Sequence, residues 1–187
     1  FHQIRERLQT ISAGIASGSG SDLDDRLEHI HQHIAALHAM PPSNHREHLL
    51  EQFVASRGEW FSAQVLAKIL GYDFVDASEF IAFEKRNHYS HEETLKNAQR
   101  IDLIRRTDRG VVIPGYYGAE PDGIIRTFTR GGSDLTGAIV AALTGASEYE
   151  NWTDVPGVFT ADPRIVPEAM PHDVVTFREL RELSYSG

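Results

Sequence analysis

One stretch of this chain constrains its fold more than any other. Arg126-Thr127-Phe128-Thr129 is short and alternates as a strand does. It runs into Arg130-Gly131-Gly132-Ser133-Asp134, and then into Leu135 to Leu143, rich in Ala and Leu like a buried helix. A strand, a glycine turn and a helix joined in this way leave the first helical amides without partners in the helix. Those amides point outward with the positive end of the helix dipole behind them, which makes an anion site. The glycines let a ligand approach the backbone closely. Arg130 adds a planar fork of donors suited to a carboxylate or a phosphate. Thr153-Asp154-Val155-Pro156-Gly157 and the segment from Phe159 to Arg164 follow closely. The two segments read as the walls of one site.

The residues before this stretch are helical in pattern. Ile4, Leu8, Ile11 and Ile15 share one helical face, and Gly18-Ser19-Gly20-Ser21 reads as a flexible joint. Leu23, Leu27, Ile30, Ile34 and Leu37 form an apolar stripe that stops at Met40-Pro41-Pro42-Ser43. Asn44 with Glu47 reads as a capping box for a third helix, to about Ser56. Arg57-Gly58 breaks the pattern. Glu59 then opens a fourth helix with Phe61, Val65 and Ile69 inward and Gly71 as its C-cap. This divides the chain into a helical segment, 1–56, serving as a lid or subdomain, and a core, 57–187. His29, His31, His33, His38, His45 and His48 cluster in the helical segment. His29 and His33 have the spacing to share a metal. No carboxylate motif completes a site, so the cluster reads as a polar face.

Beyond Gly71, strands alternate with helices, the signature of an α/β layered fold. Tyr72 to Ala77 reads as a strand and Glu79 to Phe83 as a short extended piece. Ser90 with Glu93 caps a helix through about Arg105. Arg105, Arg106 and Arg109 form a small basic cluster at that helix end. Val111 to Tyr117 reads as one strand buried on both faces. Ala119 to Gly123 is a turn, and Ile124 to Phe128 returns as a strand. Gly145 ends the helix that begins near Asp134, and Ser147 to Trp152 reads as a strand feeding the Thr153-Asp154 loop. Thr176 with Glu179 caps a last short helix.

Composition narrows the class. The 187 residues suffice for one domain with a substantial core, and 41% hydrophobic with 24% charged residues is ordinary for a globular protein. A net charge of −9 argues against a nucleic-acid partner. Without cysteine there is no disulfide framework or thiol nucleophile, which fits the cytoplasm. No apolar run approaches the roughly 20 residues of a membrane span. Phe1 falls inside an amphipathic pattern and Gly187 just after a helix, so the expectation is a piece of a longer protein.

Arg130-Gly131-Gly132-Ser133-Asp134, Thr153 to Gly157, and Asp162-Pro163-Arg164, in this order, resemble the aspartate kinases of the amino acid kinase family. Arg57-Gly58-Glu59-Trp60-Phe61-Ser62 and Val111 to Gly118 extend the resemblance, which runs from about Arg57 to Gly187. It implies a three-layer αβα fold with a central, mainly parallel sheet. It also implies phosphoryl transfer from ATP, with Mg²⁺, to the side-chain carboxylate of L-aspartate. That is the first step of lysine, threonine and methionine biosynthesis, and the full-length protein is expected to be a homo-oligomer. In this resemblance Arg130 binds a substrate carboxylate and Glu59 its ammonium. Gly131, Gly132 and Ser133 surround the substrate, and Asp134 is the catalytic aspartate. Thr153, Asp154, Phe159 and Arg164 hold the nucleotide, with Phe159 where the family usually has tyrosine. The metal ligands stay unassigned. A carboxylate is already a nucleophile at pH 7, so no Ser–His pair is needed. The family's Lys-Phe-Gly-Gly motif is not among these residues, so the isolated chain is expected to be inactive. Two other readings stay open: a relative acting on a different acid or a nucleotide, and a non-catalytic binding domain. Taken alone, Glu59 and Asp134 are also plain helix-start acids.

Overall fold

The computed structural model describes residues 20–85, 88–100, 109–129, 131–153 and 157–186. The segment from Ile4 to Ile15 and the pair Arg105 and Arg106 lie outside the described residues. Two compact units divide between Tyr149 and Glu150.

In the first unit the apolar stripe forms α1 (Gly20–Ala39). Leu27 and Ile30 are buried against Phe53 and Phe61, with Ile34 and Leu37 beside them. Pro41 and Pro42 cannot donate to a continuing helix. The next helix, α2 (Asn44–Leu70), is capped by Ser43, whose Oγ accepts from the Arg46 amide at 3.1 Å. The cap therefore lies one residue before the expected Asn44–Glu47 box. No break occurs at Arg57-Gly58: α2 is one helix of 27 residues. An interior glycine costs about 1 kcal/mol of helix propensity. Burial of Phe53 and Ser56 before it, and of Phe61, Ala63 and Ala67 after it, outweighs that cost. The inward face differs in part from the one expected: Phe61 is buried as expected, but Ile69 is 52% exposed, and Ala63 and Ala67 are buried instead. Gly71 ends the helix as expected, left-handed at φ 66°, with its amide on the Ala67 carbonyl.

The strands are short. β1 (Asp73–Phe74) pairs in parallel with β4 (Val111–Val112). Such pairing needs a crossover connection, which includes α3 (His91–Arg100). A 3-10 turn at Ala77–Glu79, closed by a capping box from Asp76, replaces the start of the expected extended piece. β2 (Phe83–Glu84) and β3 (His88–Tyr89) form an antiparallel pair. β5 (Tyr117–Ala119) and β6 (Ile125–Thr127) form another, with Tyr117 opposite Thr127 and Gly118 opposite Arg126. A parallel bridge joins Ala82 to Ala119. The run from Val111 to Tyr117 is therefore two strands. It breaks at Pro114-Gly115-Tyr116, where Tyr116 adopts φ 79°.

α4 (Gly132–Thr144) follows β6 and ends at left-handed Gly145, as expected. Its Ile139, Val140 and Leu143 pack on a core of Val75, Phe80, Ile81, Phe83, Tyr117 and Phe128. Helices packed on these strands bear out the α/β reading. Ser147 to Trp152 is not a strand: among the described residues nothing pairs with it, and Trp152 is 89% exposed.

The second unit is built on local bonds. Phe159 and Pro171 form an antiparallel bridge, flanked by Thr160 N–H to the Met170 carbonyl and His172 N–H to the Val158 carbonyl. α5 (Phe177–Ser186) carries the expected capping box. The Thr176 amide donates to Glu179 at 2.8 Å and the Glu179 amide to Thr176 Oγ1 at 3.3 Å. No described helix is long and apolar enough to cross a membrane.

Candidate functional site

The glycine turn is built from both sides. Gly132 N–H donates to the Thr129 carbonyl at 3.0 Å, closing the exit from β6. Gly131 stands at φ 82°, ψ 8°, a left-handed conformation that glycine adopts without a steric cost. Gly132 is required by packing. A Cβ there would lie 2.4 Å from Phe128 Cβ and 3.1 Å from Tyr116 Cδ2. The Gly131 carbonyl accepts from Leu135 N–H, and no side chain caps this end of α4. The amides of Ser133 and Asp134 precede that first helical bond, where a helix start leaves N–H groups without helical partners. Both residues are exposed. Arg130 lies outside the described residues.

Two residues that sequence reasoning missed hold this turn in place. Thr136 is 3% exposed; its Oγ1 donates to the Gly132 carbonyl at 3.0 Å and accepts from Tyr116 N–H at 3.1 Å. Tyr116 in turn accepts from Phe128 N–H at 2.8 Å. The signal in the sequence was a lone Thr on the first turn of an apolar helix, which the helix pattern alone does not distinguish. A cleft of about 480 Å³ opens beside the turn, lined by Val111, Ile113, Ser133, Gly137, Val140 and Tyr149. Tyr149 lies over Gly137, where a Cβ would stand 2.5 Å from its hydroxyl.

Glu59 sits in the middle of α2, exposed. It does not begin a helix, so stabilisation by a helix dipole no longer accounts for it. Two residues earlier, Arg57 is drawn inward. Its guanidinium lies 4.8 Å from the Phe53 ring, 5.6 Å from Trp60 and 5.2 Å from Tyr117. Nε donates to Ser56 Oγ at 3.1 Å, while Nη2 is buried without a hydrogen bond. Burial lowers the Arg57 pKa. Tyr117 is fully buried and donates to Asp76 Oδ1 at 2.8 Å. Burial, and then the Asp76 charge, push its phenol far above the usual tyrosine range. A second inward cation, Arg126, donates from Nε to Glu120 Oε1 at 2.7 Å, and both side chains are buried.

In the second unit Asp154 lies outside the described residues and Thr153 is exposed. Phe159 is half-buried at its bridge with Pro171. Asp162 organises the turn before Pro163, its Oδ1 accepting from the Arg164 amide at 2.9 Å. The Arg164 guanidinium grips the same carboxylate through Nε at 3.1 Å and Nη2 at 2.9 Å. These hydrogen bonds hold the Asp162 carboxyl below the usual carboxylate range. Arg164 is 88% exposed, so its fork is open to exchange for another acceptor.

Among the described residues no three His, Asp or Glu side chains converge on a point that would hold a metal. The histidine-rich face is polar and exposed, with His33 stacked on Phe53 at 4.1 Å.

The chain is similar to known proteins. Residues 3–187 match the amino acid kinase family. Aspartokinase 3 of Bacillus subtilis (strain 168) is 36% identical over 142 residues, covering 72% of this chain and 31% of that protein. The structure of E. coli aspartokinase III in complex with aspartate and ADP superimposes with a TM-score of 0.77 at 27% identity, over 97% of this chain and 43% of that one. Clostridium acetobutylicum aspartate kinase gives a TM-score of 0.63 at 33% identity, over 98% and 43%. The chain thus spans about a third of the Bacillus relative and well under half of each solved enzyme. An α/β core with an open helix N-terminus behind two glycines, matched along nearly its whole length, places this chain in the amino acid kinase family.

Proposed function

We propose that the protein containing this chain is an aspartate kinase, which transfers a phosphoryl group from ATP to the side-chain carboxylate of L-aspartate. The observation that carries this reading is the uncapped start of α4, with left-handed Gly131 and a Gly132 that admits no side chain. Outward amides at a rigid helix N-terminus suit an anionic acceptor and the charge that develops during transfer. Arg130, one residue before, supplies a fork for a substrate carboxylate, and exposed Glu59 a partner for its ammonium. Asp134 orients the phosphate-binding machinery. Thr153, Asp154, Phe159 and Arg164 hold the nucleotide. The aspartate and ADP held by the similar E. coli enzyme support this assignment.

Mg²⁺ fits as a companion of the nucleotide, since the described carboxylates build no cage of their own. Bound there, it would neutralise phosphate charge. The chain's own contribution is to position the two substrates and to exclude other orientations. The full-length protein is taken to be a homo-oligomer.

A coupled assay of ADP release tests the reading. The full-length protein should release ADP in an aspartate-dependent manner, and the 187-residue chain alone should not. ADP release driven by another acid or a nucleotide, with aspartate inert, would select the second amino acid kinase reading.

A further inference from the structure

The described residues contain a half-buried cation that the proposed reaction does not use. Arg57 is enclosed by Phe53, Trp60 and Tyr117, with one guanidinium nitrogen lacking a hydrogen bond. Burying such a group is expensive, and an apolar residue of similar size would fill the space more cheaply. Its neighbours suggest why a guanidinium stands here. The Tyr117 ring that it faces belongs to β5, and the Tyr117 hydroxyl is held by Asp76 at 2.8 Å. Asp76 Oδ1 is itself fixed by the Ser78 amide at 2.9 Å and the Ser78 hydroxyl at 2.7 Å. The residue before Tyr117 ties the start of α4, through Tyr116 N–H to Thr136 and through Phe128 N–H to the Tyr116 carbonyl. Phe128 is the residue against which Gly132 packs.

β5 thus meets α2 through Tyr117 and the glycine turn through Tyr116. We propose that Arg57, Tyr117 and Asp76 form a positioning assembly that couples α2, and the exposed Glu59 on it, to the glycine turn at the start of α4. The rotation of α2 is set by Arg57 seated among the rings, and β5 transmits that setting to the turn. The assembly touches no substrate. Its catalytic consequence, correct spacing of Glu59 from the turn, rests on the aspartate kinase reading; the mechanical coupling does not.

Hydrogen exchange on the 187-residue chain tests the coupling without any reaction. Tyr117→Phe removes only the hydroxyl, and Arg57→Lys keeps the charge while losing the planar fork. Each should speed exchange at α2 amides near Trp60 and at α4 amides from Leu135 to Gly137 by about three- to tenfold, roughly what one lost hydrogen bond allows in a local opening. Amides of α5 serve as the unchanged control. Faster exchange confined to α2, or none at either place, would overturn the proposal. In the full-length protein the same variants should raise the aspartate KM severalfold and leave the ATP KM unchanged. If that protein does not phosphorylate aspartate, the functional reading fails while the exchange result still decides the coupling.

Discussion

The glycine turn and the Asp162–Arg164 turn carry the same kind of motif, a short polar segment beside glycine or proline, yet they are held very differently. The first is fixed by buried contacts: Thr136 is 3% exposed and bridges Gly132 to Tyr116, and Phe128 closes the space above Gly132. The second is fixed by a half-buried carboxylate and an arginine that is 88% exposed. Buried polar ties are costly to break because their groups cannot turn to water. Exposed ion pairs exchange readily with solvent and salt. The glycine turn is thus rigidly held, whereas the Arg164 fork can exchange Asp162 for another acceptor.

The largest test of this contrast is Gly132→Ala. Its methyl group would displace Phe128 from the core, and unfolding in urea should show a loss of about 3 kcal/mol, the upper end of the usual range for overpacking. A loss below about 0.5 kcal/mol would mean that the turn is not packed as described. Thr136→Val keeps the shape and removes both hydrogen bonds, leaving the Tyr116 amide unsatisfied. A loss of about 1–3 kcal/mol is expected by the same measurement. Gly131→Ala meets open space and only the left-handed backbone penalty, so about 1 kcal/mol should be lost, and Gly131→Asn should lose less.

The smallest effect belongs to Asp162→Asn. The folded pKa of Asp162 is depressed by Arg164, so any stability it contributes is present above the ordinary aspartate value. That contribution fades as pH falls through the depressed one. Arg164 is exposed and Asp162 only half-buried, so salt still screens the pair. The unfolding midpoints of Asp162→Asn and the unsubstituted chain should therefore agree at pH 7 and at pH 3. A clear separation at pH 7 that closes at pH 3 would show this turn to be as firmly built as the first.

What the sequence made legible follows from how local each signal is. Gly71, Gly145 and the Thr176–Glu179 box are determined within one helical turn, and the structure has them where expected. The stripe through Leu27 and Ile30 is equally local. The continuity of α2 through Gly58 was hidden because burial of Phe53, Phe61 and Ala67 decides it, and their partners lie elsewhere in the chain. The run from Val111 to Tyr117 looked like one strand because its apolar content masks the Tyr116 turn, which contact with Gly132 and Thr136 imposes. Ser147 to Trp152 has the composition of a strand, but a strand also needs a neighbour to accept its hydrogen bonds. Of the candidate site, the turn at Gly131 and Gly132 was readable from the glycines. The supporting Thr136, Tyr116 and Arg57 were not, because each acts across the fold.

The proposed assignment gives aspartate to the glycine turn and ATP to the segment beginning at Thr153. Titration calorimetry on the full-length protein, with Arg130→Lys and Asp154→Ala each titrated with aspartate and with ATP, tests it most directly. Lysine cannot reproduce the bidentate fork. Arg130→Lys should therefore weaken aspartate binding by about 2–4 kcal/mol, the loss expected for a broken charged hydrogen-bond pair in a closed site, with ATP binding unchanged. Asp154→Ala should weaken ATP binding and spare aspartate. If Arg130→Lys instead weakened ATP binding and left aspartate binding intact, the two segments would be assigned the wrong way round.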